Sequence, residues 1–218
     1  MAARRARRVG RPTVSDAAEA PGVVLLPAAG HRSYRWRNGL GAATEIAAEP
    51  VRREAEGDVD VPDGPGWTLS IATVESDVAF SVFPGVDRQL MALSTGGLGL
   101  LIDGEPVELD RWQVAAFDGA AVVASTGVVG PTLDLNLMVS RDRFRGSLEA
   151  VVVSGSSTVS TPSGATTFVV LLDGAVSVEG PGLDRSALAQ HDTLRLETGS
   201  VTLTGAATIA IARVHARR

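Results

Sequence analysis

The sequence predicts an all-β protein built from a duplicated β-barrel, and three observations carry that expectation. Short apolar runs recur at intervals of about 8–12 residues, broken by Gly, Asp, Pro or Ser, which is the rhythm of a sandwich or barrel. Two runs alternate cleanly: Trp67, Leu69 and Ile71 oppose Thr68, Ser70 and Ala72, and Leu133, Leu135, Leu137 and Val139 oppose Thr132, Asp134, Asn136 and Met138. A ten-residue segment, Leu109 to Asp118, returns as Leu183 to Asp192 at a constant spacing of 74, with five of the ten positions identical.

Taken in chain order, residues 1–22 hold Arg4, Arg5, Arg7, Arg8 and Arg11 and read as a disordered basic tail. No apolar core follows those arginines, so the segment does not read as an export signal. A first barrel is expected over residues 23–145, interrupted by an exposed loop from Val51 to Gly66 that is rich in Glu, Asp, Pro and Gly. Within it Thr95-Gly96-Gly97-Leu98-Gly99 reads as a tight turn leading into an apolar strand. Asp103-Gly104 reads as a hairpin turn between apolar runs. The strand from Thr132 to Val139 puts Asp134 and Asn136 on one face and four aliphatic side chains on the other, because successive side chains point to opposite faces.

A second, shorter and degenerate barrel is expected over residues 146–216. Its Asp173-Gly174 pair is read as the counterpart of Asp103-Gly104, and Ser200 to Thr204 as the counterpart of Ala121 to Ala124. The stretch Thr166 to Val178 is almost purely apolar and has nothing comparable to Asp134 and Asn136, so the ligand site is expected in the first copy. The one helical turn expected is Arg141 to Leu148.

Composition removes several chemistries. There is no cysteine, hence no disulfide, thiolate metal site or cysteine nucleophile. All twenty basic residues are Arg, so Schiff-base and Walker-type lysines are absent. The histidines are His31, His191 and His215, without the His-x-His spacing of a facial metal site, and no metal or organic cofactor is expected. No Gly-x-Ser-x-Gly elbow is present. A formal charge of −5 weighs against a general phosphate-binding surface, and no run of about 18 apolar residues points to a membrane.

Three segments concentrate the remaining chemistry: Trp36-Arg37-Asn38 running on to Glu45-Ile46, Phe80-Ser81-Val82-Phe83-Pro84-Gly85-Val86-Asp87-Arg88, and Asp134-Leu135-Asn136-Leu137-Met138. In that order they resemble the signature of the HutD/Ves family of two-domain cupins. The resemblance is strong from Trp36 to Arg141 and departs at one place: where relatives carry Thr then Arg before the Glu, this chain has Ala43 and Thr44. It implies a bicupin, two packed jelly-roll-like cupin barrels. It also implies a cytoplasmic, small-molecule-binding and regulatory role, in some relatives associated with histidine utilisation. Intermediates of that pathway, such as urocanate and N-formylglutamate, are small carboxylates.

The residues themselves suit such a ligand. Arg37 and Arg88 offer planar forks for a carboxylate, Asn38 and Asn136 both donate and accept, and Glu45 and Asp134 can fix those groups or receive a ligand amine. Trp36, Phe80 and Phe83 supply apolar walls, and Ser81 lies between the two phenylalanines. Singly, each has an ordinary structural role on offer: Asn38-Gly39 and Pro84-Gly85 make turns, Arg37 can pair with Glu45, and Asp134 with Asn136 can pin strand register. As a group, Trp36, Arg37, Asn38, Glu45, Ser81, Arg88, Asp134 and Asn136 are expected to line one ligand pocket. The leading reading is a binding or regulatory protein for a small anionic metabolite, working alone or as a homodimer. The alternative is a cupin enzyme, either a metal-independent isomerase or lyase with Glu45 or Asp134 as base, or a metal-dependent oxygenase.

Overall fold

Fifteen strands and one short 3-10 turn, Ala28–Gly30, make up the regular structure of residues 22–36, 41–49 and 66–217, the residues described by the computed structural model. The expected tail, the expected loop and the residues Arg37 and Asn38 lie outside the described residues, apart from Gly22 and Gly66 at their ends. One six-stranded sheet runs in the order β2 (Arg32–Arg35), β3 (Gly41–Ala48), β4 (Trp67–Val74), β10 (Thr132–Ser140), β5 (Val86–Ala92) and β8 (Val114–Asp118). A three-stranded sheet pairs β6 (Leu98–Ile102) with β7 (Glu105–Leu109) and β9 (Val123–Thr126). The other six-stranded sheet runs β1 (Val23–Leu26), β14 (Thr193–Leu196), β12 (Ala165–Gly180), β15 (Ser200–Ala216), β11 (Phe144–Ser160), with β13 (Leu183–Ala187) pairing β12. The protein is thus all-β, and among the described residues each sheet is an open path of strands, not a closed ring. β1 belongs by its hydrogen bonds to β14, late in the chain, and so crosses the boundary expected at residue 145.

Alternation along β10 sorts the core. Leu135, Leu137 and Val139 face β11, β12 and β15, where they share one apolar cluster with Trp67, Leu69, Phe168, Val170 and Ala212. A second cluster lies within the later half around Val169, Leu171, Leu194 and Leu203, and a third within the earlier half around Leu90, Leu100, Leu109 and Val123. The shared cluster welds the halves, and Gln89 adds a polar clamp. Its Nε2 donates to Gly146 O at 2.8 Å and its Oε1 accepts from Leu148 N–H at 2.7 Å.

That clamp bears on one correction. Residues 141–148 do not form a helical turn: 141–143 is a non-helical turn and Phe144 already begins β11. The segment carries no capping box or apolar helical stripe to hold a helix. Arg141 instead bridges Asp87 at 2.6 Å and Asp118 at 2.8 Å, while Gln89 and β15 take the backbone of the strand.

A set of bonds repeats between the two halves, at a different spacing from the one the sequence suggested. In the earlier half Trp112 N–H donates to Ala92 O (2.8 Å) and Ala92 N–H to Gln113 O (3.1 Å). In the later half His191 N–H donates to Leu171 O (2.7 Å) and Leu171 N–H to Asp192 O (3.0 Å). Arg111 Nε reaches Leu93 O at 3.0 Å as Gln190 Nε2 reaches Leu172 O at 2.9 Å. Trp112 and His191 both take left-handed backbone, at φ 74° and 67°. Each pair is 79 residues apart (92 and 171, 112 and 191, 113 and 192), so the spacing of 74 misaligns the copies by five residues. The backbone bonds repeat at a spacing of 79, and the ten-residue echo does not follow it.

The Asp-Gly pairs differ accordingly. Asp103-Gly104, at φ 52° and 86°, is a two-residue hairpin loop between Ile102 and Glu105. Asp173-Gly174 turns no hairpin. It sits inside β12 at a register shift, with Gly174 at φ 88° and an added Cβ placed 2.4 Å from Ala206 O, so only glycine fits there. The chain reverses instead at Pro181-Gly182, between Gly180 and Leu183. The Gly96-Gly97 segment is the tight turn expected, closed by Gly97 N–H to Ser94 O at 2.9 Å before β6 begins.

Candidate functional site

Directly opposed residues in an antiparallel sheet share a face, and reading across the first six-stranded sheet therefore builds the site row by row. One row is Tyr34, Ala43, Ala72, Asp134 and Ala92; the next is Arg32, Glu45, Ser70, Asn136 and Leu90; a third brings Met138, Arg88 and Phe117 together. The alanines at 43, 72 and 92 are the smallest side chains with a Cβ, and two of them leave a hollow between Tyr34 and Asp134. A cavity of about 570 Å³ occupies it, walled by Ala43, Ala72, Ser70 and Met138 and flanked by Tyr34, Trp36, Phe80 and Phe83. Its polar lining includes Arg35, Ser81, Arg88, Asp134 and Asn136. The volume is that of an ordinary small-molecule pocket.

The aromatic side is built by local structure. Trp36 N–H bonds Gly41 O at 3.0 Å and its ring lies over Gly41, where a Cβ would come within 2.6 Å of both the ring and Thr73 O. Any side chain at 41 displaces the tryptophan. Trp36 meets Phe80 edge-to-face with ring centres 6.3 Å apart. Phe80 is carried by a segment pinned from beneath: buried Ser125 accepts Val78 N–H on its Oγ at 2.9 Å, and Phe80 N–H bonds Val123 O at 2.8 Å.

At the floor lie two buried charged side chains, Arg88 at 7% and Asp134 at 1% exposure. Arg88 donates through Nη1 to Ser81 O and through Nη2 to Asn136 Oδ1, both at 3.4 Å, and Asn136 Nδ2 donates to Asp134 Oδ1. Three phenyl rings surround its guanidinium, Phe117 at 5.0 Å, Phe80 at 5.6 Å and Phe83 at 5.8 Å from ring centre to Cζ. Arg88 Nε and Asp134 Oδ2 are buried without a hydrogen-bond partner among the described residues. Orphaned buried atoms of this kind cost free energy, about 1–3 kcal/mol each and more for a charged group. Burial pushes the Asp134 carboxyl up to about 7, against the opposing pull of the Asn136 hydrogen bond and the Arg88 charge. Burial likewise lowers Arg88 from its ordinary value, with Asp134 opposing.

Of the eight site residues expected from sequence, five line the cavity: Trp36, Ser81, Arg88, Asp134 and Asn136. Arg37 and Asn38 lie outside the described residues. Glu45 shares the face but is not in the wall; it sits beside a bulge in β3, opposite Ser70 and Arg32. It acts instead on Tyr34, whose phenol is raised by burial first and by the Glu45 charge second, with Arg32 opposing. Ser81 contributes its backbone carbonyl to Arg88. Sequence reading missed Tyr34, Ser70, Met138 and Phe117. Alternation could have found Ser70 and Met138, while Tyr34 and Phe117 arrive by pairings that no local pattern reveals.

The two positions that depart from the family pattern fall on opposite faces. Ala43 is in the cavity wall; Thr44 opposes Ile71 and Ser33, with its Oγ1 2.8 Å from Ser33 Oγ. A side chain at 44 therefore lies on the face away from the cavity, and the small Ala43 side chain lies in its wall. The histidines are elsewhere: His31 is close enough for its charge, after burial, to help lower His191, and His215 lies on β15 opposite Arg145 and Ala165. Among the described residues no three His, Cys, Asp or Glu side chains come together as metal ligands.

Comparison with known proteins adds a family to this geometry. The HutD family model matches residues 28–212. A 21.2 kDa protein of the hutC 3′ region of Pseudomonas putida is 36% identical over 126 residues, 57% of this chain and 62% of that protein. Protein Ves of Citrobacter koseri is 33% identical over 138 residues, 62% of this chain and 66% of that protein. The chain thus spans less than two thirds of the length of either relative. The structure of HutD from Pseudomonas fluorescens SBW25, solved under a formate condition, is 27% identical, with a TM-score of 0.72 over 90% of this chain and 100% of that one. The shared architecture is cupin-like.

Proposed function

The chain belongs to the HutD family, and from that premise we propose that it is a non-enzymatic, ligand-binding regulatory protein of HutD/Ves type whose ligand is a small carboxylate. In this reading it works in the cytoplasm, without metal or cofactor, in step with histidine utilisation, and its sheets act as two cupin barrels of which the first holds the ligand. The observation that carries the reading is the pair of orphaned atoms, Arg88 Nε and Asp134 Oδ2, buried at the floor of a cavity with an aromatic side. Arg88 has five N–H donors and spends two of them on long contacts, so it keeps capacity for a carboxylate. The name of the Pseudomonas putida relative supports the link to histidine utilisation.

A thermal-shift and calorimetric screen of urocanate, N-formylglutamate and other small acids tests it. A ligand at 100 times its Kd adds about 2.7 kcal/mol of stability. Absence of stabilisation by every carboxylate sinks the reading. A second reading, a metal-independent isomerase or lyase, is favoured by the Asp134 carboxyl at about 7, a value suited to a general base near neutral pH. Turnover of a bound acid, lost in Asp134→Asn with binding retained, decides for the enzyme.

A further inference from the structure

The cavity floor holds one buried cation and one buried carboxyl, so with that carboxyl ionised its charges balance before any ligand enters. A carboxylate ligand brings a second anion to the same desolvated place. Among the described residues, the groups that could offset it are few. β5 contributes Arg88; β2 contributes Tyr34 and Arg35 to the cavity, with Arg32 on the same face but outside the wall and paired across the strands with Glu45 of β3, both acting on Tyr34; β4 and the rest of β10 contribute only neutral side chains to the cavity. Arg35 is exposed and forms an ion pair with Glu75 at 3.7 Å, so its charge is shared with a carboxylate and screened by solvent. Two anions beside a single buried cation leave an uncompensated charge, and in such a site one of them takes a proton.

We propose that the cavity binds a singly charged carboxylate together with one proton, the ligand on Arg88 and the proton on Asp134. The inference rests on the carboxylate reading above and deepens it. Asp134 is placed to accept the proton because it lines the cavity and its buried Oδ2 has no hydrogen-bond partner among the described residues, while Oδ1 keeps its bond from Asn136. Burial has already brought this carboxyl to about 7, so an additional anion needs to move it little to hold the proton through neutral pH. Asn136 lies between the two groups and contacts both, which keeps Arg88 from closing onto Asp134 and leaves the guanidinium available to the ligand. A doubly charged ligand needs a second cation or a second proton, and the described floor offers neither.

The test is titration calorimetry of the full-length protein with urocanate at pH 8 in buffers of differing ionisation enthalpy. Urocanate carries one negative charge and does not titrate above neutrality, so any proton exchange belongs to the protein. The expected result is uptake of about one proton per ligand, with affinity falling about tenfold per pH unit above the Asp134 value. In Asp134→Asn the uptake vanishes and the affinity becomes flat with pH. N-formylglutamate, doubly charged, is expected to bind at least about tenfold more weakly. Binding without proton uptake, or tighter binding of N-formylglutamate, overturns this inference and leaves the carboxylate reading standing. If neither acid binds, the carboxylate reading falls and takes the inference with it.

Discussion

Arg88 and Asp134, on adjacent strands and both buried, are joined through Asn136 and not by an ion pair of their own. Register explains it. Arg88 opposes Met138 and Asp134 opposes Ala92, so the Asn136–Leu90 row stands between them. Two opposite charges held two rows apart, with the Asn136 row between them, keep a mutual attraction without closing the cavity.

The pH dependence of stability follows from Asp134. Its folded value of about 7 lies above the ordinary value of 3.8, so between those values the folded state binds more protons than the unfolded state. Stability therefore falls as pH rises across that window, by up to about 4 kcal/mol from this group at the upper end. Asp134→Asn removes the titration and flattens the slope. Urea unfolding at intervals from pH 4.5 to 8 checks this; an unchanged slope in the variant refutes it.

Arg88→Ala is expected to weaken carboxylate binding by about 1.5–3 kcal/mol, the worth of charge-assisted hydrogen bonds. Its cost to folding is pH-dependent. Arg88 holds the Asp134 carboxyl down, so removing it raises that carboxyl further. The stability loss relative to the parent then grows between pH 5 and pH 8. A loss of about 3–5 kcal/mol that is equal at both pH values, with no ligand found for the parent, indicates a structural arginine instead.

Ser125→Ala strips the anchor beneath the Phe80 segment. Val78 N–H is left buried without its acceptor, at a cost of about 1–3 kcal/mol. Ligand affinity is expected to fall as well, because the segment carries Phe80 and Ser81 into the cavity wall. Affinity equal to the parent's, measured well below the melting temperature, shows that the wall does not depend on this anchor.

Two truncations separate the arm from the first strand. Removing residues 1–20 is expected to change the melting temperature little, since their sequence has no apolar periodicity with which to dock. Removing residues 1–26 also deletes β1, including the buried Val23 paired with Leu196, and costs at least about 2 kcal/mol. Equal melting temperatures for the two variants contradict this assignment.

What the sequence discloses is local. Alternation from Thr132 to Val139 placed Asp134 and Asn136 on one face and the aliphatic residues on the other, and the turns at Gly96-Gly97 and Asp103-Gly104 were readable because each needs only its own residues. Where partners lie far along the chain, reading failed. Residues 141–148 are held extended by Gln89 and β15, Asp173-Gly174 serves a register shift set by β15, and Phe117 meets Arg88 only because β8 pairs with β5. The cavity itself depends on alanines at 43 and 72, residues whose importance lies in the volume that they leave empty.

The two copies differ in continuity. β11, β12 and β15 run for 17, 16 and 17 residues, β12 with a register shift inside it, whereas the stretches 79 residues before β12 and β15 are divided, β5 from β6 by residues 93–97 and β9 from β10 by residues 127–131. An undivided ladder is stiff along its length, and a divided one yields at each gap. The later half is thus the frame of long strands and the earlier half the divided one, and the cavity lies against the divided half.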